Sequence, residues 1–304
     1  MERLVYVNGE MVPESEAKVS VFDVGFLYGA TFFESVRTFK HKFFKLDEHL
    51  SRLERSLRYA GIPDIITKEK MADIMSQVLD ANIHLTDKED DMWMCAEVTP
   101  GKTFPMPLMK QIDKTPTVIV YSSAMPHSEY VKYYTQGKHV VTSLIRNTSP
   151  QNLDSRAKNR NRVPHFLAKL EIVKRDPDAI ALFLDLAGNI TEGTGANIFF
   201  VLDGILFTPT TKNILNGISR LTVIELAEKM NIKVIEKDLT LYDAYNAEEA
   251  FWTTTSYCIL PISMIDGRKI GDAYPGPYAK KLLDAWSKEV EVDIIGQAQK
   301  FANK

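Results

Sequence analysis

Cysteine is scarce: the 304 residues contain two, Cys95 and Cys258. Each lies in a strand-like run, so two buried thiols in a reducing compartment are expected rather than a disulfide framework. Glycine and proline, 15 and 14 residues, are too few for a low-complexity or largely disordered chain. Neither sign of charge dominates, because 37 basic and 40 acidic residues leave −3, and no field favours nucleic acid or an anionic membrane. A small neutral or anionic metabolite is the expected partner. Long apolar runs are missing too: Ala179-Ile-Ala-Leu-Phe-Leu184 stops at Asp185, far short of the ~20 residues that cross a bilayer. The N-terminus has no basic segment followed by an apolar core, so no secretory signal is read and a cytoplasmic location is expected. The histidines, at 41, 49, 84, 127, 139 and 165, have no metal-ligand spacing, so no metal site is expected.

What is present is a folded chain with 45% apolar and 25% charged residues, long enough for about two domains at roughly 150 residues each. Asn8-Gly9 between Leu4–Val7 and Glu10–Val12 predicts a hairpin, and a second is expected over Phe32–Leu46, turning at residues 40–42. Leu46, Leu50, Leu53, Leu57 and Ala60 recur at helical spacing, as do Met71, Ile74, Met75, Val78 and Leu79. Strands are predicted at Met92–Thr99 and Thr115–Ser122. These assignments give an α+β N-terminal domain over residues 1–122. The polar stretch 123–137 reads as a linker. A larger domain over 138–304 opens with the strand Val140–Ile145 and a helix carrying Val163, Phe166, Leu167 and Leu170, then mixes strands with helices. Both domains are expected to hold mostly antiparallel sheets with packed helices.

The chain has no Gly-x-Ser-x-Gly elbow, since Gly217-Ile-Ser-Arg220 lacks the second glycine. Gly193-Thr-Gly195 precedes a strand pattern rather than a helix, which disfavours nucleotide binding. What remains is an ordered set: Arg52, Lys158, Glu192 within Ile190-Thr-Glu-Gly-Thr-Gly-Ala-Asn-Ile-Phe199, Leu215-Asn-Gly-Ile-Ser-Arg220, and Thr253-Thr-Thr-Ser256. This set resembles the fold-type IV, class IV aminotransferases, which use pyridoxal 5'-phosphate. The likeness runs from Phe22-Asp-Val-Gly-Phe-Leu-Tyr28 to Gly276-Pro277. The resemblance implies a two-domain fold-type IV enzyme, with Lys158 in the C-terminal domain as catalytic lysine, acting as a homodimer on an amino donor and a 2-oxo acid.

The chemistry of each residue agrees with that likeness. A partly desolvated lysine gives up its proton and attacks a carbonyl, which suits Lys158. Glu192 resembles the carboxylate that keeps the cofactor ring protonated, and Arg52 fits a phosphate clamp. Gly217, Ile218 and Ser219 open a predicted helix whose N–H groups can hold an anion, and Thr255 and Ser256 resemble a second phosphate contact. In isolation these residues would read as a surface lysine, a hairpin glutamate, an exposed helical arginine, a serine cap and a β-prone run.

For the substrate, Tyr28, Phe33 and Arg37 match a branched-chain aminotransferase pattern, whereas Trp93 and Cys95 stand where those enzymes have Tyr and Arg. Val163 stands where they place a tyrosine. Asn159-Arg-Asn-Arg-Val-Pro164 is closer to the D-amino acid and (R)-amine transaminases. The expectation is an L-branched-chain preference, with Arg37 and the 255–256 turn holding the substrate carboxylate and Phe33 and Trp93 lining the pocket. A D-amino acid or (R)-amine transaminase, an aminodeoxychorismate lyase and a non-catalytic binding module are the alternatives.

Overall fold

The computed structural model describes residues 2–62, 66–103 and 115–302. They form two compact units, one of Met1–Met125 with Ala157–Arg162, the other of Pro126–Arg156 with Val163–Lys304.

The first unit has strands β1 (Leu4–Val7), β2 (Glu10–Pro13), β3 (Phe32–Phe39), β4 (Lys42–Phe43), β5 (Met92–Thr99) and β6 (Thr117–Ala124), with helices α1 (Val24–Tyr28), α2 (Leu46–Tyr59) and α3 (Lys68–Asn82). The sheet order is β2-β1-β6-β5-β3-β4 and every pairing is antiparallel. Asn8 and Gly9 turn the first hairpin with φ of 50° and 109°, the positive values a tight hairpin turn demands. Lys40 and His41 do the same in the second. Asp23 caps α1 by accepting from the Gly25 N–H, and Thr67 caps α3.

Successive strand residues point to opposite faces. Here the even-numbered ones, Phe32, Val36, Met92, Met94, Ala96, Val98, Val118 and Val120, join Leu50, Leu53 and Leu57 of α2 and Met71, Ile74, Met75 and Val78 of α3 in one core. Each fully buried aliphatic side chain there contributes about 1.5–3 kcal/mol.

The second unit has strands β7 (Lys138–Thr142), β8 (Ala179–Leu184), β9 (Ile190–Gly193), β10 (Asn197–Leu202), β11 (Ile205–Thr208), β12 (Val234–Glu236), β13 (Glu249–Thr254), β14 (Cys258–Ile265) and β15 (Arg268–Lys269). Its helices are α4 (His127–Tyr130), α5 (Tyr133–Gln136), α6 (Val163–Val173), α7 (Ile218–Lys229), α8 (Leu241–Tyr245), α9 (Pro277–Val290) and α10 (Ile294–Phe301). The sheet runs β12-β11-β10-β13-β14-β7-β8-β9, with β15 on β14. Pairings are antiparallel except β7 with β8 and β14, and β11 with β12. Phe199 and Phe251 stack at 5.3 Å in its core.

Three features differ from the sequence-based reading. The stretch 123–137 holds α4 and α5, and Tyr130, Tyr133 and Tyr134 are buried. One-turn helices anchored by tyrosines show no apolar period, so the stretch reads as a linker. Residues 157–162 cluster with the first unit rather than the C-terminal one, because their backbone is bonded there: Phe33 N–H donates to the Lys158 carbonyl at 3.1 Å and Arg160 N–H to the Thr31 carbonyl at 2.8 Å. Finally, α6 buries Ala168 and Ile172 but leaves Val163, Phe166, Leu167 and Leu170 exposed.

Candidate active site

Two groups of the singled-out residues stand out, one in each unit. In the first, Lys158 follows the buried Ala157, its N–H donates to the Ser56 hydroxyl at 3.1 Å, and its ammonium lies 4.6 Å from the centre of the Phe33 ring. Desolvation of the amine, reinforced by the positive charge of Arg52 and opposed by Glu34, holds Lys158 down at about 7. Arg52 is held in turn. Its Nε and Nη2 donate to the two carboxylate oxygens of Glu34, each at 2.7 Å, and His49 Nδ1 lies 2.7 Å from the same carboxylate. Burial alone would raise the Glu34 carboxyl, but the Arg52 charge and these hydrogen bonds hold it at about 2. Burial lowers His49 against the pull of Glu34.

The opposite face of the first sheet carries odd-numbered residues. Cross-strand partners align Phe33 with Glu97, Ser35 with Cys95, Arg37 with Trp93, and Cys95 with Tyr121. Arg160 lies over this face, its guanidinium carbon 3.6 Å from the Phe33 ring centre. Its Nη2 reaches Glu97 at 2.5 Å, Cys95 Sγ at 3.2 Å and the Tyr121 hydroxyl at 3.3 Å. Burial, with Glu97 adding to it, pushes the Cys95 thiol up to about 12, and burial likewise raises the Tyr121 phenol. Trp93 packs against Tyr121 at 6.0 Å, and Tyr28 ends α1 with 62% exposure.

Arg37 departs from the expectation that it takes a substrate carboxylate. It is 2% exposed, its guanidinium stacks on Phe39 at 4.0 Å, Nε donates to the Thr38 carbonyl, and Asp91 lies 3.9 Å away. A buried acid supplied by the loop before β5 draws it to the end of the sheet.

In the second unit, β9 presents Glu192, whose Oε2 accepts from Asn197 Nδ2 at 3.2 Å and the Leu215 N–H at 3.1 Å. Asn197 Nδ2 also donates to the Leu215 carbonyl. Gly217 caps α7, and a Cβ placed on it would lie 2.1 Å from Asn197 Oδ1, so only glycine fits there. Ser219 is therefore the second residue of α7 rather than its cap, and Ile218 and Ser219 are both buried. Thr255 and Ser256 form the half-buried turn between β13 and β14, while the neighbouring Thr254 hydroxyl donates to the Gly195 carbonyl.

The family model for amino-transferase class IV matches residues 31–265. The chain belongs to the class IV aminotransferases. It is therefore an aminotransferase of fold type IV, and its cofactor is pyridoxal phosphate. It is 37% identical over 281 residues, 92% of this chain and 94% of the other, to a Methanocaldococcus jannaschii protein assigned as a branched-chain-amino-acid aminotransferase. A D-alanine aminotransferase of Bacillus licheniformis is 28% identical across 94% of this chain and 96% of its own. The branched-chain aminotransferase of the archaeon Thermoproteus uzoniensis, solved with norvaline, superposes with a TM-score of 0.83 at 28% identity, covering 99% of this chain and 97% of that one.

Sequence reasoning missed several members of this aminotransferase's two groups: Glu34, His49, Ser56, Glu97, Tyr121 and Arg160. A usable signal existed for Glu34, a charge among the apolar even-numbered residues of a strand, where burial requires an opposite charge.

Proposed function

We propose that this aminotransferase moves the amino group of an L-branched-chain amino acid to a 2-oxo acid, working as a homodimer in the cytoplasm. The observation that carries the reading is Lys158, an amine set over the Phe33 ring near Arg52, where burial holds it well below its ordinary value, at about 7, and favours the neutral, nucleophilic form.

The residues fit pyridoxal phosphate. In the first unit, Lys158 would bind the cofactor carbonyl and carry the proton that leaves the substrate Cα. Arg52 would hold phosphate, its guanidinium oriented by the two hydrogen bonds to Glu34. In the second unit, Glu192, oriented by Asn197 and the Leu215 N–H, pairs with the ring nitrogen. The N–H groups of Ile218 and Ser219 and the hydroxyls of Thr255 and Ser256 take phosphate oxygens. When bound, the cofactor would supply an electron sink for the substrate carbanion, and the protein position and charge.

Phe33, Cys95 and Trp93 share the odd-numbered face of the first sheet and would offer apolar surface to an aliphatic side chain, in keeping with the branched-chain relative. The homodimer is supported by the apolar stripe on α6, where Val163 and Phe166 are each 61% exposed, and by Phe26 of α1, 73% exposed. Among the described residues no helix is long and apolar enough to cross a membrane. The test is a single-turnover absorbance assay with L-leucine, D-alanine and (R)-1-phenylethylamine side by side. Fastest conversion with L-leucine supports the reading, and faster conversion with either of the others replaces its substrate while leaving amino transfer in place.

A further inference from the structure

An amino acid and a 2-oxo acid share one group, the carboxylate beside the reacting carbon, and a site for both must offer it a cation. Arg52 pairs with Glu34 at 6% and 0% side-chain exposure, and Arg37 faces Asp91 at 3% and 0%. Arg160 is differently placed, with a third of its side chain exposed and its partner Glu97 at 18%.

Arg160 sits two residues after Lys158 on a segment bridged antiparallel to β3 through Asn159 and Phe32, so both side chains leave the backbone on one side. They meet over the same Phe33 ring, the ammonium 4.6 Å and the guanidinium carbon 3.6 Å from its centre. These distances bound the separation of the two cations to about 8 Å, within the span of one small amino acid. The guanidinium is fixed from the sheet side by Glu97, Tyr121 and Cys95. Of those three, Glu97 alone brings negative charge, because the thiol and the phenol keep their protons at neutral pH. Arg160 is thus oriented without being over-neutralised.

From this geometry we infer that Arg160 binds the substrate carboxylate and that Glu97 sets its strength. The inference rests on the aminotransferase reading of Lys158 and deepens it. With the carboxylate tied to Arg160, the Cα amine is directed toward Lys158 and the side chain lies over the apolar surface of the odd-numbered face. A substrate carboxylate that shares the Arg160 charge with Glu97 is held moderately, so removing the Glu97 charge tightens it.

The test uses the pyridoxal-phosphate-loaded enzyme, titrated by cofactor absorbance with 4-methylpentanoate and with its uncharged carboxamide. Arg160→Gln is expected to raise the Kd of the carboxylate at least tenfold and leave that of the carboxamide unchanged, with Arg160→Lys recovering part of the loss. Glu97→Gln is expected to tighten the carboxylate severalfold, the opposite of what loss of a structural ion pair would do. A carboxylate Kd within twofold of wild type in Arg160→Gln, or equal weakening of both probes, overturns the assignment. Failure of L-leucine to react, with D-alanine reacting in an Arg160-dependent way, overturns the branched-chain reading and leaves the carboxylate assignment standing.

Discussion

Arg52 and Glu34 meet face to face, two N–H donors on two carboxylate oxygens at 2.7 Å each, in a pair almost closed to solvent. Arg52 thus neutralises a buried acid, a duty separable from the proposed one of holding phosphate. Arg52→Ala should lose about 3–5 kcal/mol of stability, because Glu34 is left buried without its partner. The double variant Arg52→Met/Glu34→Gln should recover most of that. Both variants should still retain cofactor roughly ten- to a hundredfold less tightly, the loss expected for one charge-assisted contact. Denaturant unfolding and cofactor titration separate the effects, and normal retention in the double variant would remove Arg52 from phosphate binding.

Lys158→Ala should abolish turnover while preserving the circular dichroism of the wild type. In the cofactor-free protein, trace acetylation of Lys158 followed by mass spectrometry should titrate with a midpoint near 7. Arg52 lowers that midpoint and Glu34 raises it, so Arg52→Met should move it up and Glu34→Gln down. The unfolded lysine keeps its proton to about 10.5, so between the two values the unfolded state binds more protons and Lys158 adds stability as pH rises. A labelling midpoint near 10.5 in the wild type would contradict the nucleophilic role.

Gly217→Ala tests the second group. The new methyl would sit 2.1 Å from Asn197 Oδ1, so Asn197 or the start of α7 must move, at about 1–3 kcal/mol and several degrees in Tm. Because Asn197 also donates to Glu192, cofactor affinity should fall at least tenfold. Adding Asn197→Ala removes the clash and should restore Tm without restoring affinity. Recovery of both would show that Asn197 does not orient Glu192.

The stripe on α6 predicts that Phe166→Glu with Leu170→Glu converts a dimer into monomers in sedimentation velocity at micromolar concentration. A wild-type protein that sediments as a monomer under the same conditions would disprove the assembly.

Much of the first sheet was legible because alternation is a local property: β5 falls at Met92–Thr99 as the pattern predicts, and Asn8-Gly9 turns where its backbone must. Lys158 and Glu192 are singled out by spacing and resemblance, and the family to which those motifs point is the one whose model matches the chain. The pairing of Arg37 with Asp91 is not legible, because strand alternation places a side chain on a face without naming its partner, and Asp91 is distant in sequence. Arg160 was passed over for a related reason. Its position depends on residues 157–162 pairing with β3, a tertiary contact that leaves no periodic trace in the chain.

The division of the first sheet into odd and even positions also constrains how this protein can vary. On β3, β5 and β6 the residues at 33, 35, 95, 97 and 121 face away from the helices, whereas their even-numbered neighbours fill the core. Arg160 lies over the odd set, on Phe33, Cys95 and Glu97, and Glu34 is the charged exception in the even set. A single-residue insertion in β5 would exchange the sets, sending Cys95 and Glu97 inward and Met94 and Ala96 out. Replacement along the central strands therefore keeps the two sets on their faces, whereas a change of length keeps them there only in the turns that join the strands.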